Sequence, residues 1–207
     1  MNPLTLIPRK TVYRFSVYLR SLQRLHANGL ETVSSDVLAR LTSVKAAQLR
    51  KDLAYLGHSG TRGIGYSTME LIRKLTEALG TNRLLPVILV GVGNLGSALL
   101  GYSGFAKEGF EIVAGFDVEP RDRQQIPIFA MHEVPSYVRD HGIKMAVITV
   151  PGRVAQEVTN TLCEAGIQAL LNFAPIVLQV PPEITVNNVN LAVELENLAY
   201  SIRPNLS

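Results

Sequence analysis

The segment that most constrains the fold of this 207-residue chain is Pro86-Val87-Ile88-Leu89-Val90, followed at once by Gly91-Val92-Gly93-Asn94-Leu95-Gly96-Ser97-Ala98. A short apolar run opening into a glycine-rich turn reads as a strand feeding a helix, expected over residues 94–107. In a G-x-G-x-x-G-x-A turn the first glycine, Gly91, permits the tight bend. The second, Gly93, lets the backbone approach a pyrophosphate, and the third, Gly96, allows the helix to pack closely on the strand. Phosphates then lie at a helix N-terminus, where unpaired N–H groups and the helix dipole favour anions. A second apolar run, residues 112–116, ends in Asp117, 21 residues past Gly96. A carboxylate there accepts hydrogen bonds from the adenosine ribose hydroxyls. It also repels a 2′-phosphate, favouring NAD over NADP, although Arg121 and Arg123 nearby work against that preference. Further short runs, 145–150 and 169–173, alternate with helical stretches, the pattern of βαβ units in a mostly parallel sheet.

The first 83 residues follow a different pattern. They carry 13 Lys and Arg against 5 Asp and Glu, a net of +8, whereas residues 84–207 carry 7 against 12, a net of −5. Asymmetry of this size points to a polyanionic partner for the basic half. Val12, Phe15, Leu19, Leu22 and Leu25 fall three or four apart, one stripe on a helix that stops near Asn28-Gly29. Val33-Ser34-Ser35 supplies cap residues for a two-turn helix over 37–41, and Thr42-Ser43 breaks it. A second helix over 44–56 carries the apolar stripe Val44, Ala47, Leu49 and Leu53. Two short helices across a tight turn are a helix-turn-helix candidate. The opposite face of the second presents Lys45, Gln48, Arg50 and Lys51, the residue types a major groove requires.

Four glycines and Arg62 between Gly57 and Tyr66 suit a tight hairpin whose tip approaches a nucleic-acid backbone, which makes the helix-turn-helix winged. Ser67-Thr68-Met69-Glu70 is a capping box for a further helix through Ile72, Leu75 and Leu79 to Gly80. Three parts follow: a winged helix-turn-helix domain over 1–83, a dinucleotide-binding domain over 84–188 and a C-terminal helix over 189–207. That last helix carries an apolar seam, Leu191, Leu195, Leu198 and Ile202. Such a seam must dock, on its own body or on a partner subunit.

Composition excludes several classes. At 47% apolar residues the chain can bury real cores, and its longest apolar run, 84–92, is interrupted by Pro86 and Gly91 and is too short to span a membrane. The N-terminus lacks the order of a secretion signal, and the single cysteine, Cys163, forms no internal disulfide, so the expected compartment is the cytoplasm. His26, His58, His132 and His141 have no metal-ligand spacing, so no metal is expected.

Tyr18-Leu19-Arg20, Gln48-Leu49-Arg50-Lys51-Asp52-Leu53 and Gly60-Thr61-Arg62-Gly63-Ile64-Gly65-Tyr66 resemble motifs of the redox-sensing transcriptional repressors of the Rex family. So do 91–98, Thr149-Val150-Pro151, Ala155-Gln156-Glu157-Val158 and Leu171-Asn172-Phe173-Ala174-Pro175, in the family's order and over nearly the whole chain. The resemblance implies an α/β chain: a winged helix-turn-helix head, a Rossmann-like doubly wound parallel sheet and a domain-swapped C-terminal helix. It implies a homodimer that binds an inverted repeat in double-stranded operator DNA and releases it on binding NADH, controlling fermentation and respiration genes.

By position, the resemblance gives the DNA-facing set as Ser34, Ser35, Lys45, Gln48, Arg50 and Lys51, with Arg62, Gly63 and Tyr66 in the wing. The NADH/NAD+ set is Gly91, Val92, Gly93, Asn94, Leu95, Gly96 and Asp117. Thr149, Val150, Pro151, Asn172, Phe173, Ala174, Pro175 and Tyr102 lie toward the nicotinamide end. The family pairs an aspartate at the start of the last helix with an arginine matching Arg20. This chain has Asn190-Leu191 there, so Arg20, Tyr102 and Asn190 form a switch set whose coupling is expected to be weaker or differently wired. The alternative is a small NAD-dependent dehydrogenase. Against it, only 124 residues remain after the basic head, and no His or Lys follows a late strand to serve as acid or base.

Overall fold

The computed structural model describes residues 7–57, 60–61, 64–120 and 126–202. The chain divides into two compact units, 1–83 and 84–207. The first comprises α1 (Arg9–Ala27), β1 (Thr32–Val33), α2 (Ser35–Leu41), α3 (Ala46–Ala54), β2 (Tyr66–Ser67) and α4 (Thr68–Leu79). Helix α1 buries Thr11, Phe15, Tyr18, Leu19 and Leu22. Its apolar members share one core with Leu38, Leu49, Leu53, Leu71 and Leu75. The apolar stripe expected on α1 included Val12, which is 39% exposed. Tyr18 takes an inner place instead, because its hydroxyl finds a buried acceptor, donating to Asp52 Oδ2 at 2.8 Å.

Ser34 Oγ caps α2 by accepting from the Val37 N–H at 3.2 Å, and Ser67 Oγ caps α4 by accepting from the Glu70 N–H at 3.3 Å. Helix α3 starts two residues later than expected, since Lys45 is extended and serves as its N-cap. In consequence Ala46, not Ala47, packs on the core. Strands β1 and β2 pair antiparallel, Val33 opposite Tyr66. A Thr61–Gly65 bridge closes the described part of the hairpin. Gly65 is required there: its φ is +94° and any Cβ would strike the Val33 carbonyl.

The second unit comprises β3 (Leu85–Val90), α5 (Asn94–Leu100), α6 (Gly104–Lys107), β4 (Phe110–Asp117), β5 (Ile128–Ala130), α7 (Val134–His141), β6 (Met145–Ile148), α8 (Gly152–Ala165), β7 (Ala169–Asn172), β8 (Thr185–Asn188) and α9 (Leu191–Ser201). Among the described residues the sheet has six parallel strands in the order β5-β4-β3-β6-β7-β8. Numbered within the sheet this is 3-2-1-4-5-6, the doubly wound Rossmann order. Central β3 is buried on both faces, which is why it reads as a continuous apolar run. Ile88 and Val90 join the core with Phe116, Ile148 and Leu162, while Val87 and Leu89 join Leu100, Ile112 and Val147 on the other side.

Two expectations are corrected here. The helix expected over 94–107 is interrupted at 101–103, where Gly101 ends α5. Strand β6 stops at Ile148, two residues short of the expected Val150, and the Thr149 hydroxyl bonds the Gly91 carbonyl just past β3. No residue of α9 is buried in the single chain, and Leu191, Leu195, Leu198 and Ile202 are 62–82% exposed. Among the described residues no helix is long and apolar enough to cross a membrane.

Candidate functional site

A cleft of about 850 Å³ opens at the C-terminal ends of β3 and β6, where the strand order reverses. Gly91 and Gly93 line one side and Thr149, Val150 and Pro151 the other, with Asp117 at the end of β4. In open α/β sheets this crevice is where ligands bind. The three glycines of the turn play different parts. Gly91 sits at φ +96°, and a Cβ there would meet Val150 Cγ1 at 2.7 Å. A Cβ on Gly96 would collide with the Gly91 carbonyl. Gly93 differs from both, since a Cβ there would meet nothing within 4 Å. No protein atom demands glycine at 93; the room belongs to the cleft. Thr149 locks the two walls together by donating its hydroxyl to the Gly91 carbonyl at 2.6 Å, with the Val90 carbonyl at 3.1 Å.

Asp117 lines the cleft while bracing the turn. Its Oδ2 accepts from the Val92 N–H at 2.6 Å and its Oδ1 from the Glu119 N–H at 3.1 Å. Each oxygen of an ionised carboxylate keeps further acceptor capacity, so this bracing leaves room for ribose hydroxyls. Asn94 and Leu95 open α5 directly behind Gly93, and the Val92 side chain packs into the core beneath. Arg121 and Arg123 lie outside the described residues.

In the Asn-Phe-Ala-Pro turn the Asn172 side chain points inward. Asn172 is fully buried and its amide is spoken for by the protein. It donates to the carbonyls of Ala174 (3.2 Å) and Ile176 (3.1 Å) and to Asn188 Oδ1 (2.9 Å), and accepts from the Ala174 N–H (2.9 Å). Phe173 and Ala174 pack into the two cores, and Pro175 stands beside Gly152 at the start of α8. Tyr102 is 59% exposed, set edge-on against Phe105 with ring centroids 5.0 Å apart, and belongs to a separate recess with Phe110 and Ile126. It is not brought to the cleft. The cleft is also lined by Val118, Met131, His132, Pro135 and Arg153, which the sequence reading did not place there, and by Glu157 and Val158 of the quoted 155–158 motif. They come from the elements flanking β4 and β6.

In the head, Lys45, Gln48, Arg50 and Lys51 are all exposed on α3. Arg50 Nη1 donates to Ser35 Oγ at 3.0 Å, tying α3 to the start of α2, while Ser34 is the exposed cap of α2. Tyr66 is corrected: at 6% exposure its ring is part of the core, packed beneath Gly60. Arg62 and Gly63 lie outside the described residues. Arg20 is exposed on α1, and Asn190 caps α9, its Oδ1 accepting from the Ala192 and Val193 N–H groups.

Beneath the exposed face lies a buried carboxylate that the sequence reading did not single out. Asp52, 1% exposed, accepts from Arg14 Nε (2.6 Å) and Nη2 (2.7 Å), Tyr18 Oη (2.8 Å) and Gln48 Nε2 (2.9 Å). Burial works to raise its pKa, but hydrogen bonds from Arg14, Tyr18 and Gln48, with the charge of Arg14, bring it below the ordinary carboxylate value. The bond to Asp52 raises the pKa of Arg14, and burial followed by the bond to Asp52 raises that of Tyr18. Elsewhere, burial and then Glu183 and Glu164 push the half-buried Cys163 thiol up, the opposite of activation. Among the described residues no cluster of His, Cys, Asp or Glu is placed to hold a metal.

Two family models match this chain: "CoA binding domain" over residues 82–176 and "Putative DNA-binding protein N-terminus" over residues 6–54. The chain is 42% identical over 200 residues to the redox-sensing transcriptional repressor Rex of Pelotomaculum thermopropionicum, covering 95% of this chain and 94% of the relative. It is 42% identical over 198 residues to Rex of Streptomyces coelicolor, covering 94% and 77%. Among solved structures it is similar to RSP, a Rex-family repressor. The complex of RSP with β-NAD+ and operator DNA matches with a TM-score of 0.90 at 31% identity, covering 95% of this chain and 93% of RSP. The complex of RSP with β-NADH matches with a TM-score of 0.85 at 31% identity, covering 95% and 94%.

Proposed function

Because this chain belongs to the Rex family of redox-sensing transcriptional repressors, we propose that it works in the cytoplasm as a homodimer gripping an inverted-repeat operator. It lets go when NADH enters its clefts, and so controls fermentation and respiration genes. It is a repressor and not an enzyme. The observation that carries the nucleotide reading is Gly93, where the fold leaves empty a space that its own packing does not need. The 91–96 turn would hold the pyrophosphate and Asp117 the adenosine ribose, its charge disfavouring a 2′-phosphate. Thr149, Val150 and Pro151 would meet the nicotinamide end. NAD(H), when bound, supplies a ring whose charge and shape change with its oxidation state.

Two further features support the dimer and its target. The apolar seam of α9 is exposed in the single chain, and an exchanged helix from a second copy would cover it. Two heads related by a twofold axis suit two half-sites about one helical turn apart. The Lys45, Arg50 and Lys51 side chains supply phosphate and guanine contacts, so affinity falls steeply with salt. The test is operator binding by fluorescence anisotropy, with NADH, with NAD+ and with neither. NADH should release the DNA and be recovered unchanged. Binding indifferent to NADH, or NADH consumed with a substrate, would overturn the reading.

A further inference from the structure

The buried carboxylate in the head does more than join two helices. Asp52 Oδ1 receives both Arg14 Nη2 at 2.7 Å and Gln48 Nε2 at 2.9 Å. Gln48 itself is exposed, one turn earlier on α3 and on the face that carries Lys45, Arg50 and Lys51. A glutamine amide reads adenine with two atoms at once, its oxygen accepting from N6 and an N–H donating to N7. A glutamine free to flip offers oxygen and nitrogen with equal ease, and so discriminates poorly. Here one N–H is tied to the carboxylate below. The flipped amide would set Oε1 against an ionised carboxylate, acceptor against acceptor. One N–H and the Oε1 lone pairs remain available in a single fixed arrangement.

We propose that Asp52 is a positioning residue for sequence selectivity: by clamping Gln48 in one amide orientation, it gives the head a preference for adenine at one base pair of each half-site. Arg14 and Tyr18 on α1 complete the device. Their donors, Nε at 2.6 Å and Oη at 2.8 Å, hold the carboxylate still and charged, so the clamp is anchored outside α3. The inference rests on the reading that α3 enters the groove.

The full chain is titrated against operator duplexes in which each base pair of the half-site is replaced in turn, and against random DNA. Gln48→Ala marks the base pair that Gln48 reads, by loss of about tenfold discrimination there. Asp52→Asn should flatten selectivity at that same base pair and leave the others, and random-DNA affinity, unchanged. Equal losses on operator and random DNA would show a merely structural role and overturn the proposal, as would full selectivity in Asp52→Asn. A measurement on the parent protein stands whether or not that variant folds. In NMR of the DNA-free chain, one Gln48 Nε2 proton should exchange with water slowly; free-amide exchange at both protons overturns the clamp. Arg50→Ala and Lys51→Ala separate the two failures. If neither weakens operator binding, α3 is not in the groove and both readings fall. If they weaken it while Asp52→Asn keeps its selectivity, only the clamp falls.

Discussion

In the head, helix α3 is held from beneath by a buried ion pair; in the body, the 91–96 turn is held chiefly by close packing and by bonds to its own main chain. Asp52 gathers the side chains of Arg14, Tyr18 and Gln48 around one carboxylate. The 91–96 turn is shaped by Gly91 and Gly96 pressed against each other, by Thr149 bonded to the Gly91 carbonyl and by Asp117 bonded to the Val92 N–H. Charge-held elements answer to pH and to removal of one partner. Elements held by main chain and close packing answer to volume, because an added carbon has nowhere to go. The two halves should therefore fail under different insults.

The largest expected effect lies in the body. Gly96→Val drives a side chain into the Gly91 carbonyl and should destabilise the second unit by about 3 kcal/mol or more. Gly93→Val, three residues away, meets no protein atom within 4 Å and should change stability by less than about 1 kcal/mol while abolishing NADH binding. Urea unfolding and NADH fluorescence titration of both variants check the pair. If Gly93→Val binds NADH like the parent, the cleft is not the nucleotide site.

The head supplies the counterpart. Arg14→Ala leaves Asp52 buried without its cation and should destabilise the first unit by about 3 kcal/mol, read from the urea midpoint. Asp117→Ala, at a partly exposed carboxylate whose partners are two backbone N–H groups, should cost only about 1 kcal/mol. Its main effect should fall on nucleotide affinity. Equal losses of stability in these two variants would erase the distinction between the units.

The same distinction explains what could be read from the sequence. The glycine turn is written in consecutive residues, because each glycine answers a local steric demand, and the central strands show as apolar runs because they are buried on both faces. The Asp52 cluster reaches from α3 to Tyr18 and Arg14 on α1, 34 and 38 positions away, so nothing in the spacing reveals that join. The same blindness put Val12 inside and left Tyr18 out, and placed Tyr66 on the DNA side when its ring serves the core. Strand β8, Thr185-Val186-Asn187-Asn188, is a polar edge strand with no apolar run to mark it. The Asn172 amide secures a turn and Asn188 of the neighbouring strand, partners 4 and 16 residues away that its motif does not announce.

Whether the two units act on each other is a question of linkage. A ligand shifts an equilibrium only by its differential affinity for the two states. If NADH lowers operator affinity about 100-fold, a coupling of about 2.7 kcal/mol, operator must lower NADH affinity by the same factor. Titrating NADH with and without operator checks this. An NADH affinity indifferent to operator would mean that the two units work independently.

The smallest expected effect is the acid response of the head, and its sign follows from the same carboxylate. The pKa of Asp52 in the folded head lies below its ordinary value of 3.8. The stabilisation from the ionised form is therefore complete above about pH 5 and is lost as the pH falls through the folded value. The depression is a residue of opposing effects. Burial of the carboxylate raises its pKa, and the bonds from Arg14, Tyr18 and Gln48 must first cancel that before lowering it. The gap in urea midpoint between parent and Asp52→Asn should accordingly stay level from pH 7 to about 5 and narrow below about 4, where the unfolded chain's carboxylate takes up a proton while the folded one still resists it. A head gap that stays level to the lowest pH would mean that Asp52 holds α3 by shape alone, and the contrast between a charge-held head and a main-chain-held body would fail.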